Sequence, residues 1–308
     1  TGASGGIAEA NRTLMKKRFP QFEVGPLVFL APALVLYAVF AVYPVVDSLR
    51  LSLFHWPNPA APPEFCGLRN FAALAGDAVF WRACLHNALL IALSLAVQLP
   101  LAFLLAVLLS YPTRGRRLFR TALFAPMIMP TVAIAVLWSN LYLPQYGLLD
   151  QLIRLVDKDF AFGWLSEPQT AMACVFVTIC WRYVGFHMVL YMAGIAAIDP
   201  TLYEAARMDG AGEWQLCRHV TLPLMGPTIG LSCLLSIIGS LKYFDLVYML
   251  AGGAPETARE LLATYIYRQA FAGGQGRYGY ASAVAVVLFG AALLAGVILL
   301  RATRGRDA

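Results

Sequence analysis

Residues 88–110 read "ALLIALSLAVQLPLAFLLAVLLS", a run without one formal charge. About 20 predominantly apolar residues carry an α-helix across a bilayer core, and this run is long enough. A surface helix of a soluble domain would show a polar face every third or fourth residue; here only Ser94, Gln98 and Ser110 interrupt the apolar pattern. Five further runs share this character: 26–47, 122–143, 171–195, 222–242 and 281–300. Their only formal charges are Asp47, Arg182 and Lys242. The whole chain of 308 residues is 60% hydrophobic and 13% charged, where soluble domains carry about 25% charged residues. The expected fold is therefore all-α: a polytopic membrane protein with about six transmembrane helices and no sizeable soluble domain. Residues 1–24 read as a polar, basic tail with an interfacial helix around Leu14–Phe22, residues 25–301 as the membrane domain, and residues 302–308 as a second tail.

The net charge of +6 is informative through its placement. Basic residues gather at Arg12–Arg18, Arg114–Arg120, Arg207 with Arg218, and Arg301–Arg306. Six alternating helices put all four clusters on one side, and the positive-inside bias makes that side cytoplasmic, with both termini and the 196–221 loop on it. Because the excess follows topology rather than forming one patch, nucleic acid is not an expected partner. The first apolar run is too long for a signal-peptide core and is expected to remain as a helix. The absence of Met at Thr1 leaves the true N-terminus open. The six cysteines contain no C-x-x-C pair and read as small apolar residues; a Cys66–Cys84 bridge between two outer positions is the alternative.

Familiar catalytic patterns are missing. None of Lys16, Lys17, Lys158 and Lys242 follows a Gly, which excludes the phosphate-binding G-x-x-x-x-G-K-[ST] loop. His55, His86, His187 and His219 lie far apart without metal-ligand spacing, and no G-x-S-x-G elbow occurs. If ATP drives this chain, another chain binds it. An intramembrane enzyme would need acidic, His or Ser residues clustered at one depth, and no such cluster is apparent. Pro126 and Pro130 fall on one helix face and predict a kink in the third span, lining a cavity or serving packing alone. Gly226 and Gly230 have a spacing that allows close helix approach.

The most patterned polar segment lies at about 199–223. Asp199-Pro200 suits a helix N-cap followed by the first helical residue. Leu202, Ala205, Ala206 and Asp209 then recur at i, i+3, i+4 and i+7. Gly210 suits a left-handed helix end, "EWQLCRHV" suits a second short helix, and Leu222-Pro223 marks re-entry into the membrane. Spacing alone leaves two readings equal: a docking surface for a partner, or an ordinary interfacial connector.

These residues resemble the EAA loop of binding-protein-dependent ABC importer permeases. That pattern is E-A-A, three residues, G, nine residues, I-x-L-P. Glu204, Ala205, Ala206, Gly210, Leu222 and Pro223 match it, with Val220 in place of Ile. The segments "FRTALFAPMIMPTVAIAVLW", "YGLLDQLI" and "FDLVYMLAGGAPE" are similar to the carbohydrate-uptake branch, which includes maltose, trehalose and glycerol-3-phosphate permeases. "LAGGAP" departs from the usual Thr-Gly-Gly-Gly run, and the extra helices and large outer domain of the enteric maltose permease are absent.

The resemblance implies a type I ABC importer permease fold in a prokaryotic inner membrane. It implies a second permease subunit, two ATPase subunits that hold ATP and Mg, and an extracytoplasmic solute-binding protein. It implies no cofactor and no enzymatic activity in this chain. Glu204, Ala205, Ala206, Asp209, Gly210, Leu222 and Pro223 would couple to the ATPase. Asn140, Tyr142, Arg182, Tyr183, Tyr243 and Asp245 are the candidate substrate path, since sugars are held by aromatic faces and multiple hydrogen bonds. Each also has a packing reading, and Lys242 and Asp245 suit snorkelling at a helix end. A glycerol-3-phosphate, glycerophosphodiester or polyol substrate is the alternative to a disaccharide or oligosaccharide.

Overall fold

The computed structural model describes residues 24–57, 60–111, 114–251, 259–272 and 276–304; the expected helix at Leu14–Phe22 lies outside them. The chain divides into two compact units, residues 1–47 and 48–308. In the first, helix α1 (Val24–Tyr37) contains Pro32 and passes through a π turn at Ala38–Val42. It continues as α2 (Tyr43–Leu51), whose last residues belong to the second unit.

The second unit opens with a short antiparallel strand pair, β1 (Phe54–His55) on β2 (Glu64–Phe65), and helix α3 (Arg69–Ala75). Helix α4 (Ala78–Leu93), a π turn at Ser94–Gln98 and α5 (Leu99–Ser110) form one continuous span. It starts ten residues before the expected boundary at 88. Arg82, His86 and Asn87 concealed that start, because a hydropathy reading stops at polar residues. Arg82 is exposed, and the other two have partners: Asn87 Nδ2 donates to the Ser240 carbonyl (2.9 Å), its Oδ1 accepts from the Leu262 N–H (2.9 Å), and His86 Nδ1 meets the Glu260 carbonyl (2.9 Å). Asp77 caps the helix, accepting from the Val79 and Phe80 N–H groups. Its other oxygen accepts from Tyr280 (2.5 Å) and from Tyr265, which fastens the helix start to two distant elements.

Helices α6 (Arg116–Ile128) and α7 (Thr131–Leu141) form the third span, but as a pair bent by 102° rather than a kinked single helix. Pro130 sets this break. Its ring disfavours helical backbone at Met129, which is extended (ψ 144°), and Pro130 itself is extended (ψ 137°). A short helix α8 (Leu148–Ile153) follows in the 144–167 connection. Helix α9 (Pro168–Ala196) is the long central span, with buried residues on every face. Beyond it come α10 (Pro200–Met208), α11 (Glu213–Leu216), a π turn at Cys217–Thr221 and α12 (Leu222–Leu224). The chain then bends by 69° into α13 (Gly226–Lys242). Residues 243–280, between the fifth and sixth apolar runs, contain α14 (Asp245–Leu250), α15 (Leu262–Tyr267) and a π turn at Arg268–Ala272. Helix α16 (Tyr278–Arg304) is the last span. Among the described residues four helices are long and apolar enough to cross a membrane, and six spans result if each bent pair counts as one.

Three of the π turns share one cause. Pro44, Pro100 and Pro223 each follow their π turn by two residues. A proline ring collides with the carbonyl four residues earlier and offers no N–H. The residue before each proline bonds five residues back instead: Tyr43 to Ala38, Leu99 to Ser94 and Leu222 to Cys217. The helix widens locally and continues.

Helix α9 organises two of the three apolar clusters. On one side Val175, Phe176 and Ile179 meet Ile134 of α7 and Leu246 and Leu250 of α14. On another, Val184, Met188 and Tyr191 meet Ala102 and Ala106 of α5 and Met225. Gly185 brings α6 against α9: a Cβ there would lie 1.9 Å from the Leu123 carbonyl oxygen. The third cluster joins Leu74, Phe80 and Ala83 to Tyr265, Tyr280 and Val284. All six cysteines are free, so Cys66 and Cys84 are not bridged.

Candidate functional site

The 199–223 segment folds as a capped helical hairpin between α9 and α13. The Asp199 carboxylate accepts the Thr201 N–H (2.9 Å), and Pro200 takes the position where an N–H would be unused. This contact and the Thr201 side chain lower the Asp199 pKa. The other end closes as a Schellman motif. Gly210, at φ +81°, sends its N–H to the Arg207 carbonyl (3.0 Å), and Ala211 sends its own to Ala206 (3.0 Å). An L side chain is strained at that φ. Helix α11 begins where Gln215 Oε1 accepts the Gly212 N–H (2.8 Å).

The hairpin is tied to the bundle by side chains far apart in sequence. Tyr203 Oη and Thr221 Oγ1 lie 3.0 Å apart and join α10 to the π turn. Tyr111, just past α5, donates to Glu213 Oε2 at 2.6 Å, while Glu213 Oε1 pairs with Arg207 at 3.3 Å. Glu213 thus bridges the end of the second span to α10. The hydrogen bond to Glu213, then partial burial, push the Tyr111 hydroxyl up to about 12. Behind α10 lies a cleft of about 400 Å³ lined by Ser110, Tyr111, Tyr203, Glu204, Arg207 and Thr221.

The outward face of α10 is open. Leu202, Glu204, Ala205, Asp209 and Gly210 are exposed, Met208 is 88% exposed, and Ala206 is half-buried. Leu222 and Pro223 are exposed at the start of α12. Nothing in the local sequence pattern marked Tyr111, Tyr203, Glu213 or Thr221. Tyr111 is 102 residues from its partner, so only tertiary structure reveals the contact.

The six candidate path residues separate into groups. Arg182, Tyr183 and Tyr243 come together: the Arg182 guanidinium lies 5.2 Å from the Tyr183 ring centre, and the Tyr183 and Tyr243 rings are 5.5 Å apart. Arg182 is 91% buried, and its Nε has no hydrogen-bond partner. Tyr142 is buried against Trp138 and donates to the Cys174 carbonyl (3.1 Å). Asn140 is exposed and donates to Val136 of its own helix (2.8 Å); Asp245 is exposed at the start of α14. His187 pairs with Ser232 across α9 and α13 (2.7 Å). Among the described residues no three His, Cys, Asp or Glu side chains are grouped to hold a metal ion.

These features define a multi-pass α-helical membrane protein with a capped helical projection between its fourth and fifth spans. The chain belongs to the family of binding-protein-dependent transport system inner membrane components, whose model matches residues 98–304. It is an ABC importer permease chain. It is 35% identical over 270 residues to a probable ABC transporter permease of Pyrococcus horikoshii, covering 87% of this chain and 91% of that protein. It is 30% identical to the lactose transport system permease LacF of Rhizobium radiobacter, covering 92% and 94%. The trehalose/maltose permease MalF of Thermococcus litoralis is 28% identical, covering 96% and 99%. Among solved structures, a bacterial ABC transporter that imports the acidic polysaccharide alginate matches with a TM-score of 0.77 at 26% identity, covering 91% of this chain and 94% of that one.

Proposed function

We propose that this chain is a permease subunit of an ATP-driven sugar importer and that α10 is its coupling helix. A second permease chain completes the path, two ATPase subunits carrying ATP and Mg sit on the cytoplasmic side, and an extracytoplasmic binding protein delivers the sugar. Both termini and the 199–223 hairpin face the cytoplasm, in keeping with the basic clusters. The observation that carries the reading is the exposed, doubly capped α10 with Glu204, Ala205 and Ala206, inside the region matched by the family. Small side chains let a groove on an ATPase close around the helix. The Schellman end and the Glu213 bridge let the hairpin move as one piece, so nucleotide-driven closure rotates the spans attached to it. The sugar assignment draws on the lactose, trehalose/maltose and alginate relatives.

Ala205 is exposed, so Ala205→Trp leaves the fold intact and fills the docking face. Coexpressed with its partners, the native chain should copurify with the ATPase, and this variant should lose it. Undiminished ATPase recovery would contradict the docking role.

A second reading concerns substrate charge. Arg182 is buried beside two tyrosines with one N–H unused, and buried charges within spans face partners or a polar path. This favours a sugar carrying an acidic group, or a phosphate-bearing polyol, over a neutral disaccharide.

A further inference from the structure

The 142–167 connection lies at the opposite end of α9 from the coupling hairpin. Its helix α8 is fixed by one buried carboxylate. Asp150, 0% exposed, accepts hydrogen bonds from the Gln145 N–H (2.8 Å), the Phe162 N–H (3.1 Å) and Trp164 Nε1 (2.6 Å). With Asp150 turned inward, helical periodicity turns the apolar residues out. Leu148, Leu152, Leu155 and Val156 are 56%, 54%, 81% and 93% exposed. They recur at i, i+4, i+7 and i+8 along α8 and the helical turn after it, where Val156 and Asp157 both bond back to Ile153.

Three observations say what covers this stripe. The large exposed side chains Val132, Val136, Leu137 and Leu143 precede it on the adjoining span, so the stripe follows directly in the chain on a segment that already exposes apolar side chains. Aromatic rings flank it: Tyr146 is exposed, and Phe160, Phe162 and Trp164 pack on one another. Trp and Tyr concentrate at the membrane–water boundary. Charges of both signs, Arg154, Asp157, Lys158 and Asp159, then close the segment, and the Arg154 side chain is held by the Lys158 carbonyl (2.9 Å). Apolar stripe, aromatic rim and mixed charges match acyl chains, interface and zwitterionic headgroups in that order.

We propose that residues 146–159 form an interfacial anchor, with Leu148, Leu152, Leu155 and Val156 immersed in the adjacent leaflet and the 157–159 turn at its headgroups. Through Asp150 and Trp164 the anchor fixes the membrane depth of the α7–α9 connection, where a cleft of about 350 Å³ is lined by Trp138, Tyr142, Leu149, Trp164 and Val177. The proposal depends on the chain spanning a membrane and not on which solute it carries.

The test places a nitroxide label at Val156→Cys or Asp159→Cys, in a chain with its native thiols replaced, within the assembled transporter in phosphatidylcholine nanodiscs. Collision rates with oxygen and with a water-soluble nickel chelate are compared. The label at 156 should favour oxygen at least fivefold relative to the label at 159. Nickel access at 156 would place the stripe in water, and shielding from both reagents would place a protein partner on it; either result overturns the proposal. The unsubstituted chain gives an independent readout. A phospholipid with a diazirine in its acyl chain should crosslink to the 148–156 peptide, and absence of that adduct beside labelled spans would also refute the anchor.

Discussion

Arg182 carries the sharpest electrostatic question at the scale of single residues. A guanidinium is always charged, and burying it without full pairing is costly. The Tyr183 face offsets part of that cost through a cation–π contact, while Nε has no partner. If an anionic solute supplies it, the lost contact is a charge-assisted hydrogen bond worth about 1.5–3 kcal/mol. Arg182→Gln should then weaken uptake of an acidic sugar roughly ten- to hundredfold and leave a neutral sugar unchanged, measured as competing uptake rates in vesicles. Equal effects on both would assign Arg182 to packing. Arg182 was readable as a candidate because a lone charge in an apolar run stands out. Its separation from Asn140 and Asp245 was not, because that depends on how α7, α9 and α14 rotate against one another.

At the scale of elements, close packing and buried polar anchors set positions that propensity does not. Helix α9 meets α6 with no room for a methyl group at Gly185. Gly185→Ala should force the pair apart and cost about 1–3 kcal/mol, seen as a lower unfolding midpoint of the purified chain. An unchanged midpoint would mean that α6 shifts freely. In the 144–167 connection, burial raises the Asp150 pKa, but hydrogen bonds from Gln145, Trp164 and Phe162 outweigh it and hold the carboxyl below its usual 3.8. The unfolded carboxyl therefore binds protons at higher pH than the folded one. The stabilisation is complete above about pH 4 and is lost as pH falls through the lower, folded value. Amide exchange across 145–164 should accelerate in that acid range in the native chain. In Asp150→Asn exchange should be fast and nearly independent of this titration, after correction for intrinsic rates. The spans themselves were legible from apolar runs, and three of the π turns follow from proline positions. The start of α4 and helix α15 were not legible, because their polar groups find partners more than a hundred residues away; the short helix α14 was not legible either.

At the scale of the whole molecule, the chain holds the moving parts of a transporter and no phosphate-binding loop. On the proposed reading energy enters from an ATPase on another chain, and the capped hairpin between the fourth and fifth spans is the proposed contact. The sequence pattern E-A-A with a distant glycine made the capped helix and its left-handed end legible. The bridge from Tyr111 through Glu213 to Arg207 links α10 to the end of the second span, the route the proposed coupling would take. The central claim is that the stiffness of this hairpin couples ATP hydrolysis to transport. Gly210 tests it without a packing defect, because no atom lies within 4 Å of a Cβ there, while its φ of +81° opposes a β-branched side chain. The decisive measurement is the ratio of sugar imported to ATP hydrolysed by the assembled transporter in proteoliposomes, native against Gly210→Val. The ratio should fall at least tenfold in the variant. An unchanged ratio in a fully assembled complex would contradict the account.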